Sequence, residues 1–191
     1  KDYELMISGN RYNCMNEQLL MDRLIRHEMA QDYGNLRMGS QSPEEYFQTR
    51  NEHLKKIFGK IKGDRGAYIE APFQVDYGYN IELGKDFYAN FNMTILDCSL
   101  VKIGDGVQFG PNVVLSCATH PVDSKERCVD FIEWAREIII GDKVWLGANV
   151  TVLPGVTIGA GTTVGANSVV SRSLPAYCVA VGTPARVVKK L

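Results

Sequence analysis

The sequence predicts a mainly β fold, in which short parallel strands coil into a triangular prism behind a small N-terminal helical region. Three observations support this prediction. An aliphatic residue returns at every sixth position over a long stretch, glycine recurs at fixed places in that repeat, and a helix-capping motif stands upstream of it. An α-helix has a period of 3.6 and a single exposed strand a period of 2, so neither produces a strict six.

The repeat is clearest in the C-terminal half of the chain. Its aliphatic residues are Ile140, Leu146, Val152, Ile158, Val164 and Val170. Four positions after each stands a second, mostly small or aliphatic residue, in the series Val144, Val150, Val156, Thr162, Ser168 and Leu174. Six residues make one flat side and a corner, so a coil takes about 18 residues and stacked coils share one core. A sandwich of short strands is the alternative.

The same spacing occurs earlier in the chain, at Ile103, Phe109 and Leu115 and more loosely at Leu83, Ala89 and Ile95. Upstream, Ser42-Pro43-Glu44-Glu45 forms a capping box with proline at the first helical position. A second helical stretch is predicted from Asn16 to Met29, with Gly34 near its end. We therefore expect a helical region over residues 1–65, the prism over residues 66–180, and a C-terminal tail over residues 181–191.

The repeat is interrupted after Leu115. Ile140 follows it at a distance that is not a multiple of six, so residues 121–136 are predicted to form an excursion loop outside the prism. A long segment without a repeat of its own is usually functional or disordered. Phe131, Ile132 and Trp134 indicate that this one packs against something, because disordered segments are poor in such residues.

Composition excludes several classes of function. The net charge is −1 and the basic residues are spread along the chain, so we expect no nucleic-acid partner. No apolar run approaches the length of a membrane span, and we expect no membrane partner. The five cysteines are an odd number without a CxxC pair, which favours reduced thiols and a cytoplasmic location.

The run IGDKVWLGANVTVLPGVTIGAGTTVGANSVV resembles the left-handed parallel β-helix of the hexapeptide-repeat acyltransferases. Three further segments, FYANFNMTILDC, ATHPVD and GTPARVV, extend the resemblance to the maltose and galactoside type of sugar O-acetyltransferase, over nearly the whole chain. The resemblance implies acetyl-CoA as co-substrate, a small hydroxylated acceptor, no metal and a homotrimer. It also supplies the left hand of the coil, because crossover connections are otherwise right-handed.

His120 is the candidate catalytic residue. His27 and His53 lie in predicted helices, where surface or packing roles are the simpler interpretation, whereas His120 stands where the repeat breaks. The resemblance implies that it takes the proton of the acceptor hydroxyl, which then passes to the departing CoA thiolate. A histidine side chain has an ordinary pKa of about 6.5, and general-base catalysis contributes roughly 10² to 10⁴ in rate.

The resemblance also implies two groups of binding residues. Those assigned to the acceptor are Asn90, Asp76, Arg23, Glu133 and Trp145, and those assigned to acetyl-CoA are Ala148, Ala166, Ser171, Arg172, Arg186 and Lys189. Glu133 either orients the histidine, touches the acceptor or is a plain loop carboxylate. Cys14 and Cys98 stand where the galactoside enzymes have aspartate, so a glucose- or maltose-like acceptor is favoured over a galactoside.

Three other functions use the same kind of prism. A γ-type carbonic anhydrase needs three histidines for zinc, and the repeats hold only His120. A non-catalytic scaffold would not need His120, Asn90 and a basic tail together. An acetyltransferase for an antibiotic or amino-acid hydroxyl remains the main alternative, since it would share the same histidine.

Overall fold

The N-terminal region is helical, as the capping signals predict. The computed structural model describes residues 1–191, and its helices are α1 (Asp2–Ile7), α2 (Glu17–Asn35), α3 (Pro43–Ile57) and α4 (Ser124–Cys128). The capping box starts α3: the Glu45 N–H donates to Ser42 Oγ at 3.3 Å, and the Ser42 N–H donates to Glu45 Oε2 at 2.8 Å. Helix α2 runs through Gly34, beyond the predicted end, because Ala30 and Tyr33 in its last turns are buried in the core.

The chain forms twenty short strands, of which sixteen stack in parallel as the repeat predicts. The first ten are β1 (Tyr12–Asn13), β2 (Lys60–Ile61), β3 (Tyr68–Ile69), β4 (Phe73–Val75), β5 (Ile81–Leu83), β6 (Tyr88–Ala89), β7 (Met93–Leu96), β8 (Val101–Ile103), β9 (Gln108–Phe109) and β10 (Val114–Ser116). The others are β11 (Ala118–Thr119), β12 (Ile132–Ala135), β13 (Ile138–Ile140), β14 (Trp145–Leu146), β15 (Thr151–Val152), β16 (Thr157–Ile158), β17 (Thr163–Val164), β18 (Val169–Val170), β19 (Cys178–Gly182) and β20 (Ala185–Lys190).

The strands stack into three parallel sheets, which are the three faces of a β-solenoid of about six turns. Face 1 has the order β4, β7, β10, β15, β18, and face 2 the order β2, β5, β8, β13, β16. Face 3 has the order β3, β6, β9, β14, β17, β19, with β20 added antiparallel as a terminal hairpin. The repeat positions of the sequence fill the interior, and all six aliphatic residues from Ile140 to Val170 are buried. The predicted fold class is therefore confirmed.

The coil length differs between the two halves of the prism. Ile140 pairs with Ile158 and Val152 with Val170, so these later coils take the predicted 18 residues, whereas Val164 pairs with Ala180 and the last coil takes 16. The prediction is wrong for the earlier coils, where Leu83 pairs with Ile103 and one coil takes 20 residues. The two extra residues widen the corners between faces 1 and 2, at positions 76–80 and 97–100. These wide corners hold buried polar side chains, including Asp97 and Ser99.

The opposite edge of face 1 carries a ladder of asparagines. Asn92, Asn112, Asn149 and Asn167 each turn a corner in the left-handed region, with φ between 57° and 62°. Their side-chain amides bond to one another in series, at 2.9, 2.9 and 3.0 Å. Asparagine tolerates this backbone region better than most residues, which explains its recurrence at the same corner of successive coils.

The excursion leaves the prism between β10 and β13 and has more structure than the sequence predicted. Strands β11 and β12 form an antiparallel pair connected through α4, and β1 adds to the other side of β12. The result is a three-stranded sheet in the order β1, β12, β11. None of the helices is both long and apolar enough to cross a membrane.

Candidate active site

The three-stranded sheet holds His120 in a defined orientation. His120 directly follows β11, and its Nδ1 lies 3.2 Å from the carbonyl oxygen of Ile132. A carbonyl can only accept, so this contact assigns a proton to Nδ1 and leaves Nε2 as the nitrogen available for proton exchange. Nε2 lies 3.1 Å from Oε2 of Glu133. His120 is partly exposed, with 41% of its side chain accessible, whereas the Glu133 side chain is 10% accessible.

A polar cluster extends from Glu133 beneath His120 into the wide corners. The thiol of Cys98 donates to Asp76 Oδ2 at 3.4 Å and also contacts Glu133. His27 Nε2 lies 3.8 Å from the other Asp76 oxygen. Burial raises the pKa of Asp76, and burial together with the two carboxylates raises the pKa of Cys98, which is therefore a neutral thiol.

Arg23 reaches the same corner from α2. Its guanidinium donates to the hydroxyl of Tyr77 at 2.6 Å and to the carbonyl oxygen of Cys14 at 2.8 Å. The structure thus brings His120, Glu133, Asp76 and Arg23 together. Cys14 and Cys98 lie beside them. Tyr77 itself is fully buried. It is a residue that the sequence did not single out, although it follows Asp76 directly.

Two further side chains at this corner went unnoticed in the sequence. Asp97 is fully buried, its Oδ1 accepts the Tyr77 N–H at 2.8 Å, and its Oδ2 has no partner. Burial raises the pKa of Asp97 to about 6. Tyr12 is also buried and donates its hydroxyl proton to Glu133 Oε1. Asp97 lies within the matching segment FYANFNMTILDC, but the resemblance assigns it no role. Tyr12 reaches Glu133 only through the pairing of distant strands.

The remaining acceptor residue, Asn90, lies at the other edge of face 1. It stands at the corner before β7, where its Oδ1 accepts the Phe91 N–H at 2.7 Å. Strand β7 separates this corner from the one that holds Asp76 and Cys98. At about 3.3 Å per residue, four strand residues span roughly 13 Å. One chain therefore does not bring Asn90 and His120 together.

Ala148 and Ala166 continue the Asn90 edge along the later coils. Each precedes a ladder asparagine, and neither N–H donates to a backbone carbonyl. Trp145 is close by on the outer surface of face 3, with 55% of it exposed.

The other residues assigned to acetyl-CoA lie toward the C-terminal end. Ser171 and Arg172 follow β18 and are exposed, and Arg186 and Lys189 are exposed on β20. These four side chains form a polar, partly basic surface at one end of the prism. No group of three or more histidine, cysteine, aspartate or glutamate side chains is arranged to hold a metal ion.

Comparison with known families gives two matches. Residues 137–172 match the family described as bacterial transferase hexapeptide (six repeats). Residues 5–63 match the maltose acetyltransferase hexapeptide capping motif. The two matches cover the later coils and the N-terminal helical region, respectively.

Individual relatives agree with these matches. The galactoside O-acetyltransferase of Escherichia coli is 40% identical over 142 residues, which are 74% of this chain and 68% of that protein. The crystal structure of a maltose O-acetyltransferase from Clostridium difficile 630 superposes with a TM-score of 0.92 at 35% identity, covering 100% of this chain and 97% of that one. A galactoside acetyltransferase in complex with coenzyme A gives a TM-score of 0.86 at 34% identity, with 100% and 90% covered.

Proposed function

The chain belongs to the hexapeptide-repeat acetyltransferases of the maltose and galactoside O-acetyltransferase type, and on this premise we propose that it acetylates a hydroxyl of a glucose- or maltose-like sugar. It is an acetyltransferase that depends on acetyl-CoA. The sugar acceptor, the roles of the site residues and the trimeric assembly are proposed below.

One observation carries the proposed mechanism, the contact of His120 Nδ1 with the Ile132 carbonyl oxygen at 3.2 Å, which places the lone pair of the neutral ring on Nε2. With its Nδ1 proton held by the Ile132 carbonyl, the ring offers the lone pair of Nε2 to the acceptor hydroxyl. As the sugar oxygen attacks the thioester carbonyl, Nε2 takes the hydroxyl proton. The nearby carboxylate of Glu133 then lowers the free energy of the imidazolium that forms.

The tetrahedral intermediate places negative charge on the former carbonyl oxygen. The N–H groups of Ala148 and Ala166 have no backbone partners. An N–H group of this kind is suited to donate a hydrogen bond to the negatively charged oxygen. When the intermediate collapses, the carbon–sulfur bond breaks. The imidazolium of His120 returns the proton to the CoA sulfur, so the products are the acetyl ester and free CoA.

The positive charges near the C-terminal end of the prism support a position for the nucleotide end of acetyl-CoA. Arg186 and Lys189 on β20 and Arg172 after β18 are exposed cations, and phosphates favour charge-assisted bonds with such groups. Ser171 adds a hydroxyl beside Arg172. We propose that acetyl-CoA lies along the prism, with its phosphates at the C-terminal end and its thioester at Ala148.

The acceptor end of the site is the polar cluster of Asp76, Arg23 and Glu133, which offers carboxylates and a guanidinium to sugar hydroxyls. Cys14 and Cys98 replace acidic groups there and are weak hydrogen-bond partners. This supports a glucose- or maltose-like acceptor over a galactoside. Trp145 and Asn90 would contribute from the other edge.

A homotrimer accounts for the separation of the two edges. Asn90 and Ala148 lie along one edge of face 1, with Trp145 beside them on face 3, and His120 lies at the other edge. Three prisms around a threefold axis would place the His120 edge of one subunit against the Asn90 edge of its neighbour. We also propose a cytoplasmic location, which fits the absence of disulfides among the five cysteines.

The direct test is His120→Ala. We expect kcat to fall at least about a hundredfold, with the Kd for CoA unchanged, because the base acts on the acceptor proton. The matched control is His53→Ala on α3, which should keep full activity. Loss of CoA binding with kcat retained would contradict the assignment of His120 as base.

The acceptor is tested by release of CoA thiol from acetyl-CoA in the presence of a panel of hydroxyl compounds. Glucose and maltose should raise thiol release well above that given by galactosides. Preferential release with an antibiotic or an amino-acid hydroxyl would replace the sugar proposal while leaving the role of His120 intact.

A further inference from the structure

Three side chains lie in one row across the three-stranded sheet. Tyr12 on β1 is directly opposite Glu133 on β12. On the other side of β12, Thr119 is opposite Trp134, so the next residue, His120, falls beside Glu133. Residues opposite each other on antiparallel strands point to the same face of a sheet. The row Tyr12, Glu133, His120 is therefore a consequence of register.

The contacts along this row are specific. Tyr12 donates its hydroxyl proton to Glu133 Oε1, and Glu133 Oε2 faces His120 Nε2 at 3.1 Å. The two carboxylate oxygens thus have different neighbours, the phenol at Oε1 and the imidazole at Oε2. Tyr12 is 2% exposed and Glu133 is 7% exposed, so water does not compete for this bond. Burial and the nearby Cys98 and Glu133 raise the pKa of Tyr12, which keeps its hydroxyl protonated and able to donate.

We propose that Tyr12 is a positioning residue for acetyl transfer, and that its hydroxyl fixes the rotation of the Glu133 carboxylate so that Oε2 faces the His120 ring. This inference rests on the proposed function, in which His120 Nε2 takes the acceptor proton. Tyr12 reaches neither the acceptor nor acetyl-CoA. It acts only through Glu133.

The physical reason lies in the freedom of a glutamate side chain. The terminal torsion of glutamate is broad, so an unrestrained carboxylate samples many rotations. Cys98 also lies beside this carboxylate, and its thiol offers a competing donor. A buried phenol is the stronger donor and selects one rotation. In metal sites, groups that orient a ligand side chain change activity by about 10- to 100-fold when they are removed, and we expect an effect at the lower end of that range here.

The strand β1 makes this arrangement possible. The Cys14 N–H donates to the Phe131 carbonyl oxygen at 3.0 Å, which fixes the register of β1 on the excursion. Met6 of α1 is fully buried and belongs to the same core as Tyr12. The N-terminal segment thereby supports strand β12 of the excursion from the side opposite to His120.

The experiment is Tyr12→Phe, which keeps the ring and removes only the hydroxyl. We expect kcat to fall about tenfold while the KM values for acetyl-CoA and acceptor stay within about twofold. The matched control is Tyr33→Phe, another buried tyrosine, whose hydroxyl donates to the Ile69 carbonyl far from His120. This control should keep the wild-type kcat. A wild-type kcat for Tyr12→Phe would overturn the proposal.

A double-mutant cycle separates positioning from simple stabilisation. Glu133→Gln should itself lower kcat, and adding Tyr12→Phe to it should cause no further loss, because the group that Tyr12 orients has gone. Independent, multiplicative losses would show that Tyr12 acts by another route and refute the proposal. Melting temperatures of all variants identify any loss due to unfolding.

The role of His120 as base and the positioning role of Tyr12 can be refuted separately. If His120→Ala retains full activity, the proposed function has failed whatever Tyr12 does. If His120→Ala is inactive and Tyr12→Phe is fully active, only the positioning role is refuted.

Discussion

At the residue scale, Asp97 shows how the site tolerates a buried carboxyl group. It is next to Cys98 in the chain, but it faces the interior, where one oxygen accepts the Tyr77 N–H and the other has no partner. Ionising such a group inside a protein is costly, and the proton is retained instead. This explains why the pKa of Asp97 rises to about 6.

The consequence is a stability that depends on pH. The unfolded chain has an ordinary aspartate pKa of about 3.9, so the folded protein binds this proton more tightly. Tighter binding of this proton stabilises the folded protein, and the stabilisation is complete below about pH 4 and is lost as the pH rises through about 6. We expect Asp97→Asn to lack this loss. Its free energy of unfolding, relative to wild type, should rise by on the order of 2 to 3 kcal/mol between about pH 4 and pH 7.

Urea unfolding at a series of pH values and one fixed protein concentration measures this difference. Asp142→Asn is the control, since Asp142 accepts the Asp105 N–H at 2.8 Å in an exposed corner. Its difference from wild type should stay flat over the same range. A flat difference for Asp97→Asn as well would contradict the burial argument.

Sequence motifs identified some side chains of this site and not others. His120 stands out because the repeat breaks beside it, and Asp76 because the resemblance assigns it to the acceptor. Asp97 lies inside the matching segment FYANFNMTILDC, but the resemblance assigns it no role, and Tyr12 lies outside the matching segments. The roles of both depend on contacts between residues far apart in the chain. Tyr12 meets Glu133 only after the strands β1 and β12 have paired.

At the scale of elements, the corners decide how coils stack. The repeat predicted the interior residues from Ile140 to Leu174, because the corners up to Val170 have one length. It did not predict Cys178 and Ala180, since Val164 pairs with Ala180 and the last coil takes 16 residues. The 20-residue coils leave a trace in the sequence, a spacing of eight between Ile95 and Ile103 where the repeat has six, which marks the wide corner at positions 97–100. A period of six does not distinguish a left-handed from a right-handed coil, so the hand came from the resemblance alone.

The asparagine ladder should stabilise the corners by two separable effects. Asn112 has φ of 60°, accepts from Asn92 and donates to Asn149. Asn112→Ala should lower the free energy of unfolding by about 2 to 4 kcal/mol, from the cost of a left-handed alanine and the lost bonds. Asn112→Gly loses the same bonds but tolerates the backbone, and should cost about 1 to 2 kcal/mol less than alanine.

Chemical denaturation of both variants alongside wild type provides the measurement. Equal losses for alanine and glycine would show that the ladder bonds, and not the backbone conformation, dominate at this corner.

The terminal hairpin should act in binding of acetyl-CoA. We expect Arg186→Ala and Lys189→Ala to raise the KM for acetyl-CoA by roughly 3- to 10-fold, through loss of charge-assisted bonds to phosphate. The effect should shrink at high salt, because exposed charges are screened. Steady-state kinetics at two salt concentrations test this, with Lys62→Ala as a control at the opposite end of the prism. A change in the KM for the acceptor alone would contradict a role of the hairpin in binding acetyl-CoA.

At the scale of the whole molecule, the separation of Asn90 from His120 predicts shared active sites. Asn90→Ala and His120→Ala should each be nearly inactive, and mixing them with subunit exchange should restore activity. In a random mixture, about a quarter of the sites would combine an intact His120 edge with an intact Asn90 edge. Light scattering measures the mass of the assembly, and the activity of the exchanged mixture measures complementation.

Either of two results would contradict this arrangement. One is a monomer with full activity in dilute solution. The other is an exchanged mixture, shown by mass to contain both variants, that regains no activity.

The helices α2 and α3 and the terminal hairpin occupy the two ends of a stack that could otherwise keep growing. At the first coil, the carbonyl of Ile69 accepts from both Tyr33 and Arg50, and Asn51 Oδ1 accepts the Ala67 N–H at 2.9 Å. Side chains thus occupy the backbone groups of an edge that would attract another strand. At the last coil, β20 covers β19. An uncapped parallel stack presents the template on which fibrils elongate. By occupying the edge of face 3 at both ends, these elements oppose the addition of further coils and favour a discrete molecule over a fibre.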